Sequence, residues 1–382
     1  MPHAPTDILS RRHTAIRQTL AARGLDALIV TSLPNVTYLT NFSGSAAIVV
    51  LAAERLHFIT DFRYMAELDT TRGTASACPG LEQLCVESSY DETLATVVTA
   101  MGPARLGFEA AHLTVARHRW LESTLQEQAA GGVALVSTEG LVERARVRKD
   151  PYEIDTLREA ARRLSAVARG LLTGDEVRRG RREREVAMAI DWRIRDAGFE
   201  RPAFDTIVAS GPNAALPHAR PGERILTESD LVVLDFGGVY DSYCVDLTRT
   251  VSLGADSRAR EVYGAVREAH RRAIDAVAPG RSRFEIDAAA RDTLARHGLA
   301  EAFGHGTGHG LGIEVHEAPR ISRRRPGLDD AGDDAVDSGM VFTIEPGAYI
   351  PGWGGVRIED DVLVTGEGVE VLTDVPTELL EL

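Results

Sequence analysis

Three observations predict a two-domain α/β (α+β) protein. Short apolar strands alternate with amphipathic helical patterns over the first 140 residues, a charged stretch at Leu141–Asp150 interrupts that rhythm, and two long β-rich hairpin patterns, Leu231–Thr250 and Val341–Val364, dominate the remainder of the chain. With 382 residues and 44% hydrophobic content, the chain can bury a sizeable core in each domain.

Residues Thr6–Arg23 have the spacing of an amphipathic helix stopped at Gly24, and Ala27–Val30, Ala46–Leu51 and His57–Thr60 come next as short apolar strands. Helix and strand patterns continue through Ala110–Gln126 to a strand near Val133–Val136, so residues 1–140 form a first domain without any cluster of catalytic residue types. Asp61 and Arg63, polar residues just after a strand, are explained as well by a surface salt bridge as by a site and stay unassigned. Leu141–Asp150 reads as a linker. Asp150, Pro151 and Glu153 then supply an N-cap, a first-turn proline and a capping-box acid, and Ile154, Leu157, Ala161, Leu164 and Ala168 recur at helical spacing. A second domain therefore occupies residues 151–382. Inside it, Glu185, Val186, Ile190, Ile194 and Gly198 match Glu285, Ile286, Ala290, Leu294 and Gly298 at an offset of 100, as Gly180 matches Gly280. Two related α/β halves are expected.

The formal charge of −14 argues against a general nucleic-acid or membrane-surface partner, whose affinity rests on clustered positive charge. The three cysteines, Cys78, Cys85 and Cys244, lack CxxC spacing and cannot all pair, which suits a reducing compartment. Because the N-terminus lacks a signal-peptide pattern and no apolar run approaches a membrane span, a cytoplasmic protein is expected. Lys149 is the only lysine in the chain, which argues against Schiff-base chemistry and a phosphate-binding P-loop.

Within Leu231–Thr250 a hairpin centred on Tyr240 and Asp241 sets Asp235 opposite Asp246. Apolar residues flank both acids and no neighbouring base offers neutralisation, so either one carboxyl stays protonated or a cation lies between them. Within Val341–Val364 a pairing centred on Gly352 sets Glu345 opposite Glu359, with Tyr349 and Arg357 on the faces of those two glutamates. Between the hairpins, Gly304–Gly312 carries glycine at every even position; an extended backbone there puts His305, Thr307 and His309 on one face, and His316 joins them only through a bend. Two opposed acid pairs around a glycine-supported histidine ask for a shared cation.

The order Asp235, Asp246, His309, Glu345, Glu359, with PHARP before it and TIEPG and RIED in place, closely resembles the pita-bread metallopeptidases, among them methionine aminopeptidase, aminopeptidase P and prolidase. The motifs cover Asp150–Leu382, and the N-terminal part resembles, more loosely, the creatinase-type domain that precedes the catalytic domain of aminopeptidase P and prolidase. The resemblance implies a pita-bread domain with a pseudo-two-fold repeat, a homodimer, and hydrolysis of the Xaa-Pro bond at the N-terminus of short peptides. It also implies two divalent cations, manganese by family habit, although the oxygen-rich donor set suits cobalt, iron or zinc as well. On this resemblance Asp235 binds one cation, His309 and Glu345 bind the other, and Asp246 and Glu359 bridge both. Glu345 would accept a proton, His218, His305 and His316 match histidines that approach the substrate, and Tyr349 and Arg357 are secondary substrate-binding residues. Cys244 shares a hairpin face with Asp246 but reads as a packed thiol. A creatinase-like hydrolase of another small amide and a non-enzymatic peptide-binding protein are the weaker readings, since such relatives have lost ligands that this chain retains. The acidic stretch Gly327–Ser338 departs from the family pattern at the site rim and leaves fine specificity open, and the choice between dipeptides and longer peptides lies in loops whose partners the sequence does not identify.

Overall fold

The computed structural model describes residues 3–128, 132–325 and 334–382. They divide into two compact units, Met1–Arg146 and Val147–Leu382. In the first unit run α1 (Thr6–Ala22), β1 (Ala27–Val30), α2 (Leu33–Thr40), β2 (Ile48–Ala52), β3 (Leu56–Thr60), α3 (Phe62–Thr71), β4 (Leu81–Cys85), α4 (Tyr90–Met101), β5 (Arg105–Glu109), α5 (Val115–Gln128), β6 (Ala134–Thr138) and α6 (Leu141–Val147). The strands form one mixed sheet in the order β4-β3-β2-β1-β5-β6. Ile29, Val50, Ile59 and Leu106 pack against Leu94, Val98, Leu121 and Leu125 from the helices. Asp61 caps α3 and pairs with Arg63 at 2.8 Å, an arrangement that explains both side chains locally. Leu141–Val147 is helical. Buried Arg146 donates to Asn35 Oδ1 (2.7 Å) across 111 positions of sequence, and the Asn35 amide donates to Glu109 (2.6 Å), so the charges that suggested an exposed connector are satisfied by distant partners.

The second unit contains α7 (Pro151–Thr173), α8 (Glu183–Asp196), β7 (Arg201–Pro202), β8 (Ile207–Ser210), β9 (Leu231–Tyr240), β10 (Tyr243–Ser252), α9 (Ser257–Asp275), α10 (Arg283–Arg296), β11 (Gly308–Gly310), β12 (Glu317–Ile321), β13 (Val341–Ile344), β14 (Gly347–Ile350), β15 (Gly354–Arg357), β16 (Asp360–Val364) and β17 (Val369–Val371). The capping box at α7 is complete: Asp150 accepts from Glu153 N–H and Glu153 accepts from Asp150 N–H, each at 3.0 Å. β7 and β8 pair with β9 of the long β9–β10 hairpin, and a second sheet runs β12-β11-β13-β16-β17. A bridge between Thr248 and Glu359 joins the two. Among the described residues, no helix is long and apolar enough to cross a membrane.

The repeat is structural. α8 and α10 begin and end 100 positions apart, and Gly180, Gly198, Gly280 and Gly298 share the left-handed backbone, with φ between 73° and 88°. In one half Gly180 N–H donates to Leu226 O and Leu226 N–H returns to Arg181 O; in the other Gly280 donates to Val336 and Val336 returns to Arg281. Four glycines beside identical turns are thus explained by one requirement, entry and exit through positive φ.

β11 is pressed between β12 and β13, and a Cβ on Gly308 would lie 1.8 Å from Thr343 O. Gly308→Ala is expected to destabilise the unit by about 1–3 kcal/mol or to displace β11. By contrast, Gly264→Ala within α9, where nothing lies within 4 Å of the added carbon, should stabilise by about 0.5–1 kcal/mol. Chemical denaturation of the two variants checks both signs.

Candidate metal centre

The β9–β10 hairpin turns through Asp241 and Ser242, whose φ values of 49° and 67° make a two-residue turn that matches strand twist. Tyr152 donates to Asp241 and anchors it. The turn therefore lies one residue later than the pairing centre expected from sequence. Asp235 faces Thr248 and Asp246 faces Gly237, so the two aspartates are diagonal neighbours on one face rather than directly opposed. The chemistry survives the correction, because diagonal partners on one face of a pair remain within reach of each other. For the second pair, Ile344 faces Asp360 and Gly347 faces Arg357, two ladders that share one centre at Gly352 and leave Glu345 opposite Glu359 between them.

Asp246, His309 and Glu359 each offer a ligand atom within 4.8 Å of the others. His309 Nε2 lies 3.6 Å from Glu345 Oε1. Its Nδ1 is 3.1 Å from Gly310 O, and a carbonyl only accepts, so the proton sits on Nδ1 and the Nε2 lone pair faces the carboxylates. Asp235 Oδ1 and Asp246 Oδ1 are buried without a hydrogen-bond partner. Burial first, and then the neighbouring aspartates and Glu345, holds the Asp246 carboxyl well above its ordinary range; burial and Asp246 do the same to Glu359, and burial pushes Glu345 up to about 7. Orphaned oxygens, mutually repelling acids and an imidazole presenting its lone pair are the donor set that a pair of divalent cations requires, so the residues fit.

Arg357 answers part of this negative charge. Buried and held charged by Tyr349, Asp235 and Glu359, it donates to Asp235 and to Tyr349 Oη (2.7 Å). Tyr349 Oη lies 2.9 Å from His305 Nε2, and His305 Nδ1 lies 2.8 Å from Gly306 O. These partners fix the directions: His305 donates through Nδ1, accepts from the Tyr349 hydroxyl, and Tyr349 accepts from Arg357. Burial, with Arg357 second, lowers His305 to about 4, so it is neutral at physiological pH.

His316 reaches the site by the bend that its sequence parity demanded. A register shift after His309 and bends over Gly312–His316 return the chain, and the two rings meet edge to face with centroids 4.2 Å apart. His218 is exposed on the loop after Leu216, and its charge would disfavour protonation of both His305 and His316. Cys244 is packed, with burial pushing its thiol up to about 12. Of the acidic stretch Gly327–Ser338, residues 327–333 lie outside the described residues.

The sequence reading missed Thr248 and Asp361. Thr248 donates to Glu359 Oε2 (2.5 Å) and accepts from Arg357 Nε (3.2 Å), tying the two hairpins at the site. It has the strand parity of Asp246, which is the signal that could have found it. Asp361 accepts from Asp246 N–H (3.0 Å) behind the site, and only the inter-sheet contact reveals that role.

Residues 155–366 match the family described as Metallopeptidase family M24, and residues 12–148 match the Creatinase/Prolidase N-terminal domain. The chain is 31% identical over 375 residues to an Xaa-Pro dipeptidase of Pyrococcus horikoshii, covering 98% of this chain and 100% of the relative. It is 37% identical over 366 residues to an uncharacterized peptidase of Bacillus subtilis, covering 96% and 98%. Among solved structures, an Xaa-Pro dipeptidase from Bacillus anthracis aligns with a TM-score of 0.88 at 36% identity over 98% of this chain and 100% of that one. An X-Pro aminopeptidase from Thermotoga maritima aligns at 0.86 and 30% identity over 97% and 99%. Matched by both family models and by relatives along nearly its whole length, the chain belongs to metallopeptidase family M24 and carries a creatinase/prolidase-type N-terminal domain ahead of a pita-bread catalytic domain.

Proposed function

We propose that this chain hydrolyses the Xaa-Pro amide bond at the N-terminus of short peptides, with two divalent cations, natively manganese, held by Asp235, Asp246, His309, Glu345 and Glu359. The observation that carries the reading is the buried acid cluster beside neutral His305 and His309, in a chain that resembles Xaa-Pro dipeptidases over nearly its full length. Bound cations supply Lewis acidity that polarises a peptide carbonyl and acidifies water toward a neutral-pH nucleophile. Glu345, whose Oε1 lies 3.6 Å from His309 Nε2, would accept the proton of the attacking water. His316 and His218 stand where the histidine-bearing segments open outward, suited to donate to the tetrahedral carbonyl oxygen and to the leaving nitrogen. Arg357 keeps Tyr349 oriented, and through it His305, whose Nδ1 lies 4.0 Å from Glu345 Oε2. The Xaa-Pro nitrogen carries no hydrogen; a site that acts on the carbonyl and the leaving nitrogen needs only shape around the ring.

Metal content tests the ligand set. Manganese-loaded protein should carry two ions per chain by elemental analysis and Asp246→Ala should lose most of them; unchanged content in that variant refutes the assignment. The protonation of the acids adds a pH signature. Glu345, raised in the metal-free chain from 4.5 to about 7, contributes stability that is present below its unfolded value and lost as pH rises through about 7. The metal-free Tm should therefore fall from about pH 5 to about pH 8, and manganese should raise Tm more at the higher pH.

Ala-Pro, Ala-Pro-Ala and Ala-Ala-Ala, assayed with manganese, test the bond that is cut. Cleavage of Ala-Pro alone makes the chain a dipeptidase, cleavage of Ala-Pro-Ala an aminopeptidase, and preference for Ala-Ala-Ala rejects the proline reading. On the preferred substrate Glu345→Gln should lower kcat by about 10² or more with little change in KM. We further infer a homodimer working in the cytoplasm, in keeping with three free cysteines; light scattering that gives a monomer at micromolar concentration would reject the dimer.

A further inference from the structure

Thr307 stands between His305 and His309, and an extended backbone would turn all three side chains to one side. Bends at His305 and Thr307 break that alternation. Thr307 is 0% exposed, and its hydroxyl (2.9 Å) and its N–H (3.1 Å) both donate to Asp287 Oδ1 on α10. The two rings stay with the acids: His309 Nε2 lies 3.6 Å from Glu345 Oε1, and His305 Nδ1 lies 4.0 Å from Glu345 Oε2. The carbonyl of Thr307 is engaged as well, accepting from Glu345 N–H (2.7 Å). One residue therefore joins α10 to the backbone of Glu345 and carries a site histidine two positions before it and two after.

Asp287 is a fixed anchor. It is 1% exposed, and Arg291, one helical turn on, meets it through Nε to Oδ2 and Nη2 to Oδ1, each at 2.9 Å. With the two donors of Thr307 the buried carboxylate is satisfied without water. The same guanidinium donates to His305 O (2.8 Å) and to Phe303 O (3.1 Å), and it lies over the Phe303 ring, which meets the His305 ring edge to face with centroids 5.0 Å apart. Alternate residues 303, 305 and 307 are thus tied to one pair of side chains on one helix. The N–H contact to Asp287 is open to any residue at 307 except proline, so the hydroxyl is what threonine adds. Without it the strand keeps one bond to Asp287 and can pivot about it, carrying the imidazoles on either side and loosening the register with Glu345.

We propose that Thr307 is a positioning residue for the site, transmitting the fixed place of Asp287 to His305, His309 and Glu345 together, so that the spacing of the two rings and the carboxylate is set from α10. The kinetic part of the test rests on the Xaa-Pro reading; the spectroscopic part does not. In histidine-labelled, metal-free protein the His305 and His309 ring resonances, identified by their loss in His305→Ala and His309→Ala, should shift in Thr307→Val, which keeps the shape and removes the donor. The ring resonance of His13, a buried histidine of the first unit, should stay in place. Thr307→Ser restores the hydroxyl and should return both site resonances toward their native positions. On Ala-Pro substrates Thr307→Val should lower kcat by about 10- to 100-fold with KM changed by less than about threefold, and Thr307→Ser should recover most of the loss. A Thr307→Val protein whose Tm falls while both rings stay in place would show that the hydroxyl only stabilises the fold, and would overturn the proposal; a Thr307→Ser protein with the rings still displaced would overturn it too. If Thr307→Val fails to fold, Arg291→Lys decides: an ammonium cannot span Asp287, Phe303 and His305 at once, so the His305 resonance should shift, and an unmoved resonance refutes the anchoring role. If wild-type protein cleaves no Xaa-Pro peptide, the substrate reading falls while the resonances still decide this one.

Discussion

Four carboxylates share a space from which water is largely excluded, and the catalytic unit is organised around that conflict. Asp235, Asp246 and Glu359 are 8%, 5% and 2% exposed, and Glu345 completes the set beside His309. Water that would have solvated four charges is absent, so each carboxyl must find compensation inside the protein or give up its charge. Arg357 compensates Asp235 directly, and Thr248 donates to Glu359. Two Oδ1 atoms remain without partners. A fold that builds such a cluster from two separate hairpins and braces it by a bridge at Thr248 and Glu359 has arranged for a cation to finish it.

The bracing extends to the histidines, and it has the pseudo-symmetry of the unit. At the start of α8, buried Glu183 accepts from Ser210 N–H and Oγ–H, from the Asn213 amide and from Gly222 N–H, which clamps both ends of the loop bearing His218. At the start of α10, buried Asp287 accepts from Thr307 N–H (3.1 Å) and Oγ–H (2.9 Å), holding the residue between His305 and His309, while Arg291 pairs with the same carboxylate. The two acids lie about one helical turn apart in the repeat alignment rather than at equivalent positions. Each half thus uses an acid near the start of its helix, in the first turn of α8 and in the next turn of α10, to fix a histidine-bearing segment, and each acid is satisfied by several donors, as a buried carboxylate must be.

Much of this was legible in the sequence, and the failures have a common cause. Helical periodicity located α1 and α7, the offset of 100 located α8 and α10, and strand parity grouped the acids with Arg357 and Tyr349. Local rules missed whatever depended on a distant partner. The helix over Leu141–Val147 is held where Arg146 meets Asn35, and the first hairpin turned one residue late because Tyr152 holds Asp241 in a left-handed conformation open to Asp and Ser at modest cost. The bend that admits His316 depends on a register shift in β11 and on a carboxylate seated over Gly312, neither of which has a periodic signature. Thr248 was within reach, since it sits two residues from Asp246 on the same strand face.

Protonation states separate the roles inside the site. Burial lowers His305 and His309 to about 4 and pushes Tyr349 up to about 12, so near neutral pH these three keep their protons where the hydrogen bonds place them. Arg357 stays charged because four neighbouring groups outweigh the cost of its burial. Asp246, Glu359 and Glu345 are all raised, chiefly by burial, and all three carboxyls therefore ask for cations. A scaffold of fixed donors works best when nothing in it titrates near the working pH, and the Arg357–Tyr349–His305 chain meets that condition. The same burial that makes the acid cluster costly therefore keeps the groups around it fixed.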